Sequence, residues 1–439
     1  MVAKDQDIKP FEDKIQISPC TKLRGSVSIP GDKSISHRLA MLASIAEGES
    51  TIANFSTSAD CHSTLECLRA LGIDPVVRDG THLTILGRGL TGFRTPGQDL
   101  NAGNSGSTLR MLSGILAGQP FTSILSGDAS LCRRPMDRVM EPLSRMGARF
   151  EAREHKYPPL TVSGTSLRWI SYSPTVSSAQ VKTAILFAGL LAEGVTEVIE
   201  RVPTRNHTEI ALPQFGAAIE VSPLSVSVTG RKQLHGSEFI VPGDPSSAAF
   251  FVVAGLLVPD AELTLHGVGL NPTRIEFFEF VRAMGGRVQF LNLREQNGEP
   301  VGDVVVRSSE LEGGSIAPHQ VPLLIDEIPI LAVAGARSRK GLSIRGAQEL
   351  RVKESDRIAA VVKNLAAMGA EVKELDDGFE VKGNQRLRGT DLESFGDHRI
   401  AMAFSVAALL ADSPAVIHGA DCVKISFPSF FSILHSLRT

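Results

Sequence analysis

The chain has 439 residues, more than one compact core accommodates, so two domains are expected. Its composition, 42% apolar and 21% charged, is that of an ordinary soluble globular protein. A formal net charge of -3 excludes bulk binding to nucleic acid or another polyanion, so any anion site must be local.

At the N-terminus, Met1–Asp13 is polar and mixed in charge, without the apolar segment of a secretory leader, and is expected to be disordered. Val27 and Ile29 alternate with polar neighbours as strand residues do. Ile29-Pro30-Gly31-Asp32-Lys33-Ser34-Ile35-Ser36-His37-Arg38 then opens a helical pattern running from Ser36 through Ala46. A glycine-bearing turn between strand and helix offers backbone N–H groups to an anion, with Lys33, Ser34 and Arg38 beside them. A capped helix with solvated basic residues accounts for the stretch equally well.

The same succession then recurs: an apolar helix, strand-like alternation, and a second, amphipathic helix. The apolar helices are expected at His37–Ala46, Ser107–Ala117, Ala179–Ala192, Ser246–Leu257, Glu327–Ala336 and His398–Leu410. Apolar residues cover most of each circumference, the pattern of a helix buried all round. The second helices, His62–Leu71 and Arg274–Met284 among them, repeatedly end at a helix-stopping glycine: Gly72, Gly147, Gly216, Gly285 and Gly369. Repeats of this length are small α/β modules. Six of them predict an α/β (α+β) fold of two similar domains with three units each. Phe239–Asp244 echoes Val27–Asp32, so crossovers are expected at Ser18–Leu23 and Phe239–Gly243. Residues 23–241 would then be an inserted domain, and residues 1–22 and 242–439 the other, to which Lys14–Ile17 returns. The apolar run Ala248–Val258 is too short to span a bilayer.

Two motifs resemble nucleotide sites and are rejected. Gly87-Arg88-Gly89-Leu90-Thr91-Gly92 fits GxGxxG, but the Thr95-Pro96-Gly97 that follows cannot open the helix such a site needs. Gly31-Asp32-Lys33-Ser34 resembles the end of a P-loop, with Asp32 where a glycine is required. Trp169, Tyr157 and Tyr172 are too few for a base-stacking platform. The five cysteines (Cys20, Cys61, Cys67, Cys132, Cys422) form no CxxC pair, which favours reduced thiols in a cytoplasmic setting over disulfides or zinc.

The chemistry concentrates where the apolar helices begin. Five of the six starts present polar or charged residues: Asp32-Lys33-Ser34 with Arg38, Asn104-Ser105-Gly106-Ser107 with Arg110, Ser177-Ser178-Ala179-Gln180, Asp326-Glu327, and Asp397-His398-Arg399. Capping by Asp, Asn and Ser explains any one of them. Basic residues recurring near them favour helix N-termini gathered around an anion. Further basic residues stand at Arg133-Arg134-Pro135-Met136, Thr204-Arg205-Asn206-His207 and Arg351-Val352-Lys353-Glu354-Ser355-Asp356-Arg357. The last is a solvated face unless context says otherwise. If it is helical, Lys353 and Arg357 share one side, and Glu354 could move a proton beside a phosphate that they hold.

These motifs resemble the 5-enolpyruvylshikimate-3-phosphate synthase family from about Leu23 to Phe430. The segments that carry the resemblance are Pro30–Arg38, Gly103–Arg110, Arg134–Met136, Leu350–Arg357 and Asp397–Met402. Gly243–Ser247, Asn271–Arg274 and Ser178–Lys182 look closer to its class II branch. The resemblance implies the enolpyruvyl transferase fold, two domains of three βαβαββ units closing over a cleft. It implies transfer of the enolpyruvyl group of phosphoenolpyruvate to the 5-hydroxyl of shikimate 3-phosphate, with phosphate released, and no metal or organic cofactor; a monomer is expected because the sequence shows no coiled-coil or obvious interface segment. It also implies the roles of residues. Asp326 would take the 5-hydroxyl proton, Glu354 would handle the proton at C3, and Lys33 would contact both substrates. Ser34, Arg38, Ser178, Ala179, Gln180, Arg205 and Lys353 would hold shikimate 3-phosphate. Arg134, Arg357 and Arg399, with Asn104, Gly106 and Gln180, would hold phosphoenolpyruvate.

Two departures from the family pattern matter. Ile425 stands two residues before Phe427-Pro428, where many members carry a lysine; Lys424 is one position earlier, and that role is not carried over. Gly106 stands where glyphosate-tolerant class II enzymes are associated with alanine. A UDP-N-acetylglucosamine enolpyruvyl transferase is disfavoured because no cysteine lies in a matching loop. A non-catalytic anion sensor would have no need of both Asp326 and Glu354. With Gly106 present, glyphosate should inhibit in competition with phosphoenolpyruvate; absence of inhibition at high excess over that substrate would refute the expectation.

Overall fold

The computed structural model of the chain describes residues 8–11 and 13–438. The disorder expected of Met1–Asp13 falls on residues 1–7 and 12 outside the described residues, whereas Ile8–Phe11 pairs antiparallel with Lys14–Ile17. Among the described residues the named strands form six four-stranded sheets, one for each unit of the sequence repeat. In four units a parallel pair flanks the opening helix; in the other two the parallel partners are exchanged, Glu238–Ile240 lying beside Thr51–Ala53 and Arg24–Ser28 beside Glu262–His266, and antiparallel strands complete every sheet. One sheet runs Leu100–Asn101, Thr122–Ser126, Tyr157–Ser163, Arg149–Arg153 in that order.

Contacts divide the chain into two compact units. One holds Gly31–Pro242 with the short segment Glu295–Glu299; the other holds the residues up to Pro30, Gly243–Arg294 and those from Pro300 onward. Each buries its own hydrophobic core. The division expected after residue 22 therefore comes eight residues too early, at 22 against 30. The reason is pairing: Arg24–Ser28 runs parallel to Glu262–His266 and belongs to the second unit's sheet. Glu238–Ile240 in turn runs parallel to Thr51–Ala53 in the first. Lys14–Ile17 pairs antiparallel with Ala415–His418.

The six apolar helices are Lys33–Ile45, Gly106–Leu116, Ala179–Leu191, Pro245–Leu257, Ile328–Arg337 and His398–Leu409. All twelve residues of the last are buried, so this helix has no solvated face. The first begins at Lys33 rather than Ser36 because the Asp32 carboxylate accepts the Ile35 N–H at 2.9 Å and starts the helix three residues earlier. The five glycines expected to stop second helices all have positive φ, from 80° at Gly216 to 116° at Gly147, a conformation glycine adopts without a Cβ penalty. No helix follows the GxGxxG segment before the strand Leu100–Asn101, which agrees with its rejection. Among the described residues no helix is long and apolar enough to cross a membrane.

Both crossovers carry Pro-Gly followed by Asp. Asp32 N–H donates to Pro242 C=O at 2.8 Å in one unit, and Asp244 N–H donates to Pro30 C=O at 2.9 Å in the other. Glycine is required for packing at Gly31, where a Cβ would stand 1.8 Å from the Asn54 carbonyl oxygen. That atom is backbone and cannot swing away. Gly31→Ala should therefore destabilise by about 3 kcal/mol or more in urea unfolding, whereas Gly97→Ala, with open space around it, should change stability by less than about 0.5 kcal/mol.

Candidate active site

The residues singled out from the sequence fall into two groups, one per unit. Lys33, Ser34, Arg38, Asn104, Gly106, Arg134, Ser178, Ala179, Gln180 and Arg205 lie in the Gly31–Pro242 unit; Asp326, Lys353, Glu354, Arg357 and Arg399 lie in the other.

In the first group the helix heads are capped and also carry cations. Ser105 Oγ accepts from Thr108 N–H at 3.1 Å, and Ser178 Oγ from Val181 N–H at 3.4 Å. Lys33 Nζ is 2.7 Å from Asp60 Oδ2, with both side chains largely buried. Arg38 is 2% exposed and ties three segments together. It donates to Ser34 C=O at 2.8 Å, Thr208 Oγ1 at 2.8 Å and Thr183 Oγ1 at 3.0 Å. Arg205 Nη1 donates to Ser34 Oγ at 3.4 Å. Arg134 grips the Asn104 loop through Asn104 Oδ1 at 2.7 Å, and Asn104 Nδ2 donates to Asp128 Oδ2 at 2.7 Å. Gln180 joins two helix heads: its Oε1 accepts from Arg110 at 2.7 Å and its Nε2 donates to Ser107 Oγ at 2.9 Å. A Cβ on Gly106 would lie 3.1 Å from Arg110 Nη1 and 3.7 Å from Arg134 Nη1, so this glycine faces two guanidinium groups.

Beneath these cations runs a buried polar chain. His37 Nδ1 is 2.7 Å from Thr64 Oγ1, which is 2.7 Å from Thr108 Oγ1, which donates to Ser105 Oγ at 2.8 Å. Burial pushes the His37 imidazole well below its ordinary pKa of 6.5, and Lys33 and Arg38 push the same way against Asp32. His37 is neutral at pH 7 and serves the scaffold.

In the second group everything turns on Arg357, 1% exposed. Asp397 takes its Nε at 2.8 Å, Glu354 its Nη2 at 2.7 Å, and Asp326 lies 3.6 Å from its Nη1. Burial opposes the Arg357 charge, but Asp397, Glu354 and Asp326 outweigh it and hold its pKa above the ordinary guanidinium range. Arg399 reaches the same carboxylate, with Nη2 at 3.5 Å from Asp326 Oδ2 and Nη1 donating to Asp326 C=O at 3.1 Å. Desolvation lowers the Lys353 pKa, with Arg357 adding to it and Asp326, Glu349 and Glu354 opposing.

Lys353 and Arg357 do not share a helix, contrary to the helical reading of that run. A 3-10 turn ends at Val352, and the next helix, Arg357–Ala367, starts only after Asp356, whose carboxylate caps Ala359 N–H at 3.1 Å. Lys424 is two-thirds exposed and pairs with Asp421 at 2.8 Å within one short 3-10 turn. Nothing in the sequence marks Asp60 as the partner of Lys33 or Asp128 as the acceptor of the Asn104 amide. Asp397 caps its helix as the Asp-His-Arg spacing suggests, its carboxylate accepting the Arg399 N–H at 2.9 Å.

A model of the family "EPSP synthase (3-phosphoshikimate 1-carboxyvinyltransferase)" matches residues 17–434. A 3-phosphoshikimate 1-carboxyvinyltransferase from Solibacter usitatus is 54% identical over 422 residues, covering 96% of this chain and 99% of that protein. One from Koribacter versatilis is 50% identical over 424 residues, with coverage of 96% and 99%. Among solved structures, an EPSP synthase from Acinetobacter baumannii superposes with a TM-score of 0.86 at 39% identity, covering 97% of this chain and 98% of that one. The enolpyruvyl transferase NikO from Streptomyces tendae shares the fold, with a TM-score of 0.76 at 18% identity and 96% of each chain covered.

The Asp397 carboxyl is opposed by burial, yet Arg357 keeps its pKa below the ordinary carboxylate range, with Glu354 working against and His398 for that shift. Its contribution to stability is therefore present above about pH 4 and is lost as pH falls through the lower folded value. Asp397→Asn should cost about 3 kcal/mol at pH 7, because it strips a buried cation of its fully buried counter-charge, and the deficit should shrink below about pH 4. Urea unfolding at pH 7 and pH 3 checks this; an equal deficit at both would refute it.

Proposed function

This chain belongs to the EPSP synthase family, and from that premise we propose how its residues divide the work. The activity is that of a 3-phosphoshikimate 1-carboxyvinyltransferase of the shikimate pathway for aromatic amino acids. The enolpyruvyl group of phosphoenolpyruvate passes to the 5-hydroxyl of shikimate 3-phosphate, and phosphate leaves.

In our reading both units serve one active site. Asp326 accepts the proton of the 5-hydroxyl as its oxygen bonds to C2 of phosphoenolpyruvate, and Glu354 delivers a proton to C3. In the second half Glu354 takes back a proton from C3, the C2–O bond to phosphate breaks, and phosphate departs with the proton that Asp326 held. Lys33 neutralises charge between the two substrates. Ser34, Arg38, Ser178, Ala179, Gln180, Arg205 and Lys353 bind shikimate 3-phosphate. Asn104, Gly106, Arg134, Gln180, Arg357 and Arg399 bind phosphoenolpyruvate.

The observation that carries this reading is the sharing of Arg357 between the two carboxylates assigned to proton transfer, Glu354 at 2.7 Å and Asp326 at 3.6 Å. An arriving phosphoenolpyruvate carboxylate or phosphate competes with them for that guanidinium, so substrate binding itself releases Glu354 and Asp326 for proton traffic. Bidentate geometry is what arginine offers here and lysine does not.

We also read the chain as nearer the class II branch. Supporting this, residues of its class II-like segments interlock: Arg274 Nη2 is 3.1 Å from Asp244 Oδ1 and 2.8 Å from Ser246 Oγ. A monomer is the simplest state for a site completed within one chain.

Phosphate release should require both substrates together. Asp326→Ala and Glu354→Ala should each lower turnover by about 10³-fold or more while shikimate 3-phosphate still binds. Near-normal turnover in either variant would overturn its role, and phosphate released from phosphoenolpyruvate alone would overturn the reaction.

A further inference from the structure

We propose that Lys182 is a positioning residue for shikimate 3-phosphate, acting through the turn that carries Arg205; this rests on the reading of Arg205 as a ligand of that substrate. Lys182 lies in the first turn of the Ala179–Leu191 helix, with its side chain 1% exposed. Its ammonium is 2.9 Å from Glu200 Oε2 and 2.6 Å from Glu209 Oε1, and both carboxylates are largely buried. It also donates to Thr204 C=O at 3.5 Å. Glu200 closes the turn with its other oxygen, which accepts Thr204 N–H at 3.1 Å and the Thr204 hydroxyl.

One ammonium thus ties the residue after the strand Val195–Ile199 to the helix His207–Gln214, with Arg205 between them. The clamped turn aims two assigned ligands. Arg205 Nη1 reaches Ser34 Oγ at 3.4 Å, and Thr208, next to Glu209, accepts from Arg38 Nε at 2.8 Å.

Stability is a poor reason for this arrangement. Removing three charges from water opposes folding, and an ammonium near a helix N-terminus sits at the unfavourable end of the dipole. An apolar cluster in place of all three side chains would fill the space at least as stably. It would not fix one geometry for the turn, and a misplaced Arg205 loses its charge-assisted contact to an anion.

Calorimetric titration with shikimate 3-phosphate, together with phosphate-release kinetics, tests this. Lys182→Met should raise the Kd for shikimate 3-phosphate about tenfold, leave kcat within about threefold, and leave the KM for phosphoenolpyruvate within about twofold. Glu200→Gln keeps the Lys182–Glu209 pair and should reproduce that pattern, so the test stands even if Lys182→Met fails to fold. Arg205→Ala should raise the same Kd about a hundredfold, and adding Lys182→Met to it should raise it by only about threefold or less, the part that acts through Arg38. Full additivity in the double variant, or an equal loss for both substrates, would overturn the proposal. An unchanged Kd in Arg205→Ala would instead overturn the role of Arg205.

Discussion

A helix buried on every side constrains everything built around it. The six apolar helices can satisfy their first N–H groups only at their own heads, and they have no solvated flank for a charge. Polar chemistry is therefore forced to the ends, which is where Asp32, Ser105, Ser178, Asp244 and Asp397 stand as caps. Once a head is capped by a carboxylate or hydroxyl, cations can be held beside it at modest cost. Asp397 does both at once, capping the Arg399 N–H and holding the Arg357 guanidinium. Capping and anion binding, which compete as explanations of a single motif, are combined here in one structure.

Much of this was legible because it is written locally. The six apolar helices show in the all-round hydrophobicity of their stretches, and the glycine stops show because only positive φ ends those helices cheaply. The site residues were legible as a resemblance, through motifs long enough to be specific. What failed was non-local. Nothing within Arg24–Ser28 says that its partner is Glu262–His266, so the boundary after residue 22 came too early. Lys353–Arg357 misled for a different reason: Asp356 is itself a cap, and a capping residue inside a charged run marks the start of a helix and not its middle. The buried chain from His37 through Thr64 and Thr108 to Ser105 spans three helices and has no sequence signature at all.

The buried cations differ in the partners they are given. Arg38 donates to two hydroxyls and a carbonyl, and Arg134 to an amide oxygen, a carbonyl and a hydroxyl, while Lys182 pairs with two carboxylates and Arg357 with three. Carboxylates that ring a buried cation balance its charge within the fold and offset part of the cost of removing it from water.

The pairing of Lys14–Ile17 with Ala415–His418 sets the order in which the molecule can be made. Roughly 400 residues separate those strands, which at about 5–20 residues per second of synthesis is a wait of about 20–80 s. Over that interval the Gly31–Pro242 segment can fold as it leaves the ribosome, while Lys14–Ile17 has only Ile8–Phe11 to pair with. An exposed strand edge invites pairing with other chains. During synthesis, then, the vulnerable element is the strand Lys14–Ile17, whose partner is made last.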